Sequence, residues 1–320
     1  MAEPATPTLA LEPGLPAPDA APTAAPNRPL FGVALSVVAV LLFASMDTIT
    51  KVLTASHHYP VPLVAWARYT VQLVLMTALL APRQGRDLLI PSRPIPVIVR
   101  SFSLVAATLF MGLALRRLPL AEAEAIVFTS PMLVVLLAAP LLGEKLSAGR
   151  AVLAAVGFTG VLLIARPTGH LDGLGVLFAL GCAVVTTAYN LMSRTLRAER
   201  PLTLLFNSAL VGAVAFGILT PFSWSGDALS WSLILMFLAL GLLAGVGHFL
   251  LTLSYRYAPA SAIAPVSYLQ LFWAGVLGVL VFGHVPDPLA LLGMGIIAAS
   301  GIATVVSGGR SPKAVPAVRA

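Results

Sequence analysis

Four ionisable side chains, Asp47, Arg68, Glu124 and His248, stand inside stretches that carry almost no other charge. Where such a stretch crosses a bilayer, a charge within it is costly and marks an ion pair, a proton relay or a substrate contact. Asp47 lies about six residues before the outer end of its stretch, and Arg68 about seven residues after the outer start of the next; at ~1.5 Å per residue both sit ~10 Å below one interface. They can therefore meet. Lys51 follows Asp47 by one turn on the same face. Two readings stay open: a locked structural ion pair with Lys51 reaching out to water, or coupling to substrate or protons.

Glu122 and Glu124 begin another stretch, where the positive end of a helix dipole favours acids; Glu124 is deep enough to line an outer vestibule. Arg100, near the start of its own stretch, is expected to snorkel to headgroups. Tyr189 and Asn190 form a polar step on the opposite side, and Tyr268, Gln270 and Trp273 interrupt a later apolar run. Aromatic rings with a few polar groups suit a cavity for a flat organic molecule, although aromatics at helical spacing also serve packing. A buried amide such as Gln270 needs partners. His248 is either a proton shuttle or a satisfied core histidine. It has no histidine or carboxylate three or four residues away, so no metal site is expected, and no cofactor motif or Walker loop is present. Cys182, the single cysteine, reads as a small buried apolar residue.

The elements that must position these groups are ten long apolar stretches, near 30–53, 61–81, 95–115, 120–142, 148–165, 173–193, 203–222, 231–255, 259–282 and 288–308. Charged residues are 10% of the chain, hydrophobic ones 58%, and the mean hydropathy is +0.96, outside the range of soluble domains. About 20 apolar residues span the hydrocarbon. The expected fold is an all-α polytopic membrane protein. The net charge of +7 comes from scattered residues, not from a basic run, which excludes a nucleic-acid partner and makes the lipid bilayer the charge-relevant one. Residues 1–29 are Pro/Ala-rich and read as a disordered tail with no secretory signal, and 309–320 as a second tail.

Loops on the amino-terminal side hold thirteen lysines and arginines, against only Arg116, Arg117 and Arg166 opposite. Positive loops stay cytoplasmic, so both termini are expected inside and the span count even. The halves also echo each other. One constant shift brings Arg116, Pro119, Leu137 and Gly143 onto Arg256, Pro259, Leu277 and Gly283, and Asp47 to Lys51 resembles Asn190 to Arg194. Five spans per half reverse the direction of equivalent helices, giving two inverted five-helix repeats, 30–167 and 168–308. Gly157–Gly160 and Gly241–Gly245 have the spacing of close helix packing.

The stretch ALRRLPLAEAEAIVFTSPMLVVLLAAPLLGEKLSAGR resembles the first-half signature of EamA-type carriers of the drug/metabolite transporter superfamily. LSYRYAPASAIAPVSYLQLFWAGVLGVLVFGHVPDP resembles the second-half signature, and the similarity runs from Leu30 to Gly308. The resemblance implies a ten-helix bundle around a central cavity with alternating access. His284 departs from the acidic residue usual at its position, which argues against a symmetrical role for Glu144 and leaves it an interfacial helix-end role.

The leading expectation is a secondary transporter of a small organic metabolite (amino-acid-like, vitamin or nucleoside-like) in the inner membrane, not an enzyme. FASMDTITKVL and YPVPLVAWARY look more like carriers for riboflavin or S-adenosylmethionine uptake than amino-acid or drug exporters. An intramembrane enzyme would need a paired acid/base or metal motif, which is not seen; a nontransporting scaffold would leave Asp47, Asn190 and Gln270 without a task. Proton coupling and a homodimer stay open as expectations.

Overall fold

A computed structural model describes residues 28–142, 148–165, 171–196, 198–224, 226, 230–258 and 263–308. The two expected tails, apart from Arg28 and Pro29, and Glu144 lie outside these residues. The described chain is helical. Helix α1 (Pro29–Lys51) runs on into a wide turn, Val52–Ser56, and is followed by α2 (Val61–Gln84), α3 (Pro94–Leu115), α4 (Leu120–Val127), α5 (Ser130–Leu142) and α6 (Ala148–Ala165). The second half holds α7 (Gly173–Thr195), α8 (Pro201–Leu219), α9 (Trp231–Tyr257), α10 (Leu269–Phe282) and α11 (Pro288–Gly308). Pro29, Pro94 and Pro201 open their helices, where a missing N–H costs nothing.

Among the described residues seven helical stretches are long and apolar enough to cross a membrane, and two shorter apolar helices, Ala151–Ile164 and Pro288–Ala303, accompany them. The stretch expected as one span over 120–142 is two helices, α4 and α5, parted at Phe128–Thr129. Pro131 explains the break: it has no N–H for the Val127 carbonyl, and it disfavours helix at Ser130. Thr129 closes the gap, its N–H and hydroxyl both donating to the Ile126 carbonyl. In the other half a short tight turn, Ala264–Tyr268, containing Pro265, precedes α10. The two interruptions touch, with the rings of Phe128 and Tyr268 5.4 Å apart.

The packing is pairwise. α1 lies on α9 as α3 lies on α7; α2 meets α9 as α8 meets α3; α1 meets α10 as α7 meets α4 and α5. Three further contacts, α2 on α8, α4 on α10 and α6 on α11, pair the halves directly. The largest buried cluster joins α4, α6, α10 and α11 around Ile126, Ile164 and Ile297. Gly160 and Gly293 let α6 and α11 cross at backbone contact: a Cβ on either would lie 2.7 or 2.6 Å from the other's carbonyl oxygen.

Polarity is inverted relative to a soluble protein. Asp47, Gln72, Arg100, Glu122 and Glu124 are buried, whereas Val74, Leu79 and Leu280 are at least 60% exposed. With no water to bond in hydrocarbon, only a bundle that turns its polar groups inward is stable there. The chain is a multi-pass membrane protein.

Candidate functional site

Three of the residues singled out in the sequence come together although they are far apart in the chain. Asp47 projects from the last two turns of α1, Glu124 from α4 and Gln270 from the first turn of α10. The Gln270 amide donates to Asp47 Oδ2 at 3.4 Å and to Glu124 Oε1 at 3.2 Å. The two carboxyl groups are also within hydrogen-bonding reach of each other. Carboxylates only accept, so a bond between them requires one proton held in common. Both lie beside the meeting point of the two interrupted segments, the place where helix ends leave backbone groups free for a ligand.

Arg68 shares a narrow cleft of about 20 Å³ with Asp47, Thr50 and Thr108, as its depth in the sequence predicts. The locked ion pair does not form: among the described residues Arg68 has no carboxylate within 4 Å. Its Nη2 donates to Thr108 at 3.0 Å, its Nη1 points at the Met46 sulfur at 3.8 Å, and its guanidinium lies over the Tyr69 ring. The Lys51 ammonium donates to the carbonyls of Leu115 and Leu118 at 2.8 and 2.6 Å, closing the end of α3. A cation is well placed there, because the last carbonyls of a helix have no partners of their own.

The second centre is one the sequence misassigns. Arg100 is only 5% exposed, not at headgroups. It donates to Ser193 Oγ at 2.7 Å, Tyr189 Oη at 2.6 Å and Ser208 Oγ at 3.1 Å, tying α3 to α7 and α8. Tyr189 therefore belongs to Arg100, with the guanidinium 4.2 Å from its ring centre. Its neighbour Asn190 turns the other way and donates to Ser130 Oγ at 3.4 Å, at the start of α5. Three-residue and four-residue spacings on α3 gave no sign of this, since every partner comes from another helix.

The ring of His248 packs at a tilt against that of Phe43, 4.8 Å between centres, and lines a cavity of about 250 Å³ between α2, α8 and α9, together with Gln72, which the sequence reading passed over. Tyr268 is buried against Phe128, and Trp273 packs on Phe272; neither their Oη nor their Nε1 has a hydrogen-bond partner among the described residues. Neither bonds to the acid pair. In the first turn of α4 Glu122 meets His284 at 2.9 Å, so the histidine that departs from the family pattern contacts an acid of the other half. No group of metal-ligating side chains occurs among the described residues.

The sequence matches the model of the EamA-like transporter family twice, over residues 30–166 and 173–306. It is 28% identical over 282 residues to a riboflavin transporter of Rhizobium johnstonii, covering 85% of this chain and 90% of that protein. It is 26% identical over 278 residues to the pseudopaline exporter CntI of Pseudomonas aeruginosa, covering 85% and 95%. A crystal structure sharing 22% identity superposes with a TM-score of 0.64 over 88% of this chain and 99% of that one, a likeness of fold. These matches settle the class: the chain is a small-molecule transporter rather than an enzyme, and it belongs to the EamA-like transporter family.

Proposed function

We propose that the chain is a secondary carrier that moves a small organic metabolite across the inner membrane by alternating access, with ten spans and both termini cytoplasmic. The observation that carries this reading is the buried centre of Asp47, Glu124 and Gln270, because it is assembled from α1 and α4 of one half and α10 of the other. A rearrangement of one half against the other must make or break it. The exchange-symmetric helix packing and the double family match support two inverted repeats, 30–167 and 168–308, of the kind that interconvert between inward-open and outward-open forms. The excess of lysine and arginine on one side supports the orientation. A proton held between Asp47 and Glu124 is the coupling ion this centre favours.

The substrate class is a vitamin, nucleoside-like or amino-acid-like metabolite; the relatives' names span a vitamin carrier and an exporter, so they leave direction to experiment. Counterflow in proteoliposomes tests the reading, with labelled riboflavin, S-adenosylmethionine, nucleosides and amino acids. Accumulation of one compound, abolished in Gln270→Ala and reduced at least ~10-fold in Asp47→Asn, is the expected result. Silence across the panel from folded protein would count against a carrier.

A further inference from the structure

We propose that the cleft between α1, α2 and α3 binds one ordered water, which joins the Arg68 guanidinium to the Asp47 carboxyl in place of a direct ion pair. Both side chains line this cleft, together with Thr50 and Thr108. Its volume of about 20 Å³ admits one water, which needs ~10–15 Å³. The two charges form no ion pair within 4 Å, yet they lie within electrostatic reach of each other. A bridge of two ~2.8 Å bonds holds its ends ~4.5–5.5 Å apart, a separation of this kind.

The hydrogen bonds around the cleft identify the water's partners. Thr108 is saturated: its hydroxyl donates to the Leu104 carbonyl and accepts from Arg68 Nη2 and Tyr69 Oη. Thr50 donates to the Met46 carbonyl at 3.0 Å, which leaves its lone pairs open. Of the five N–H groups of Arg68, one meets Thr108 and one the Met46 sulfur, and the Nε–H is buried and unbonded among the described residues. A water that accepts from Arg68 and donates to Asp47 and Thr50 makes three bonds, the usual number for a buried one. The charges exclude other occupants. A cation would face Arg68, and an anion would face Asp47 with Glu124 beside it; water meets a donor and an acceptor at once. Val64, Met111 and Leu240 complete an apolar wall. Water also follows either charge, so α1 and α2 can part, as a carrier cycle requires, without leaving a bare charge in hydrocarbon.

The site concerns water binding and stands whether or not the chain transports. Radiolytic footprinting of the purified full chain in detergent reads it: an X-ray pulse converts bound water to hydroxyl radical, which oxidises a neighbouring methionine to the sulfoxide. Met111 lines the cleft, whereas Met132, 3% exposed, lies in the apolar cluster of α4, α6, α10 and α11. Met111 is expected to oxidise at least ~10-fold faster than Met132. Thr50→Val removes one partner of the water at nearly constant volume and should slow Met111 ~3-fold or more, while Thr50→Ser keeps the hydroxyl and should keep the rate. Ala65→Val, which fills the cleft from α2, should slow Met111 as far as Thr50→Val does. An unchanged Met132 rate shows that each variant is folded. Equal rates at Met111 and Met132 in the wild-type chain overturn the site, as does a Met111 rate that neither Thr50→Val nor Ala65→Val lowers. A crystal structure with Arg68 and Asp47 in direct contact overturns it too. Silence in counterflow with these rates intact would sink the carrier and leave the water in place.

Discussion

Replacing Arg100 by methionine tests whether an intramembrane guanidinium holds three helices together. The side chain makes three hydrogen bonds shorter than 3.2 Å, to Ser193, Tyr189 and Ser208. Bonds between helices in a bilayer are worth ~0.6 kcal/mol on average and up to ~1.7 kcal/mol, and a charged donor belongs at the upper end, so the three sum to ~4 kcal/mol. The stacked Tyr189 ring adds ~1 kcal/mol. Against this, methionine removes a buried charge that has no carboxylate within 4 Å among the described residues, which returns a few kcal/mol. The expected net loss is ~2 kcal/mol, a factor of ~30 in the ratio of folded to unfolded protein. Unfolding in mixed micelles, followed by tryptophan fluorescence, reads it. The decisive quantity is the double-mutant cycle with Tyr189→Phe, for which the 2.6 Å bond predicts a coupling of ~1 kcal/mol. Were the guanidinium at the headgroups instead, the two changes would add to within ~0.3 kcal/mol, and that result would refute the argument.

The crossing of α6 and α11 makes a sharper packing test. Gly160→Ala places its Cβ 2.7 Å from the Gly293 carbonyl oxygen, which is backbone and cannot swing aside, so a loss of ~1–3 kcal/mol is expected in the same unfolding assay. Gly149→Ala, on α6 but facing open space, is the control and should be neutral or slightly stabilising. At the N-terminal end of α7, Asp172 caps the helix: the Gly175 N–H, and then Arg117, hold its carboxyl below the usual range. A depressed carboxyl stabilises above its unfolded pKa near 3.8 and loses that contribution as pH falls through the lower folded value. The melting-temperature gap between the wild type and Asp172→Asn should therefore be steady near neutrality and close on acidification below about pH 4. A gap that widens in acid would mean that the cap is not formed by the carboxylate.

How much of this was legible depends on where each interaction comes from. The bounds of α6 and α11 could be read from hydropathy and punctuation, because a helix end is a local event marked by Pro288 or by a glycine. The break between α4 and α5 was visible as Pro131, but the apolar run continues through it, and hydropathy does not register a lost N–H. Residue depth also carried over: Asp47 and Arg68 do line one cleft. Which partner each one takes did not, since Asp47 is met by Gln270 from 223 residues away and Arg100 by three helix-borne hydroxyls at least 89 residues away. An intramembrane charge says that a partner must exist; only the packing says which.

The same pairing principle separates the two faces of the bundle. Under the shifts that align the halves, Asp47 corresponds to Asn190 and Gln270 to Ser130, and both pairs are in contact at 3.4 Å. The geometry is repeated, but the chemistry is not. Asp47 has Glu124 beside it, so its pair can gain or lose a proton, while Asn190 and Ser130 are neutral at any pH a cell meets. On the carrier reading, the two contacts guard opposite faces of the membrane, and changing halves exchanges their positions without exchanging their charge. A perfectly symmetric carrier would respond equally to protons on either side. On the carrier reading, a proton could act at the acid contact but not at the contact of Asn190 with Ser130, so the two faces would differ in their response to pH.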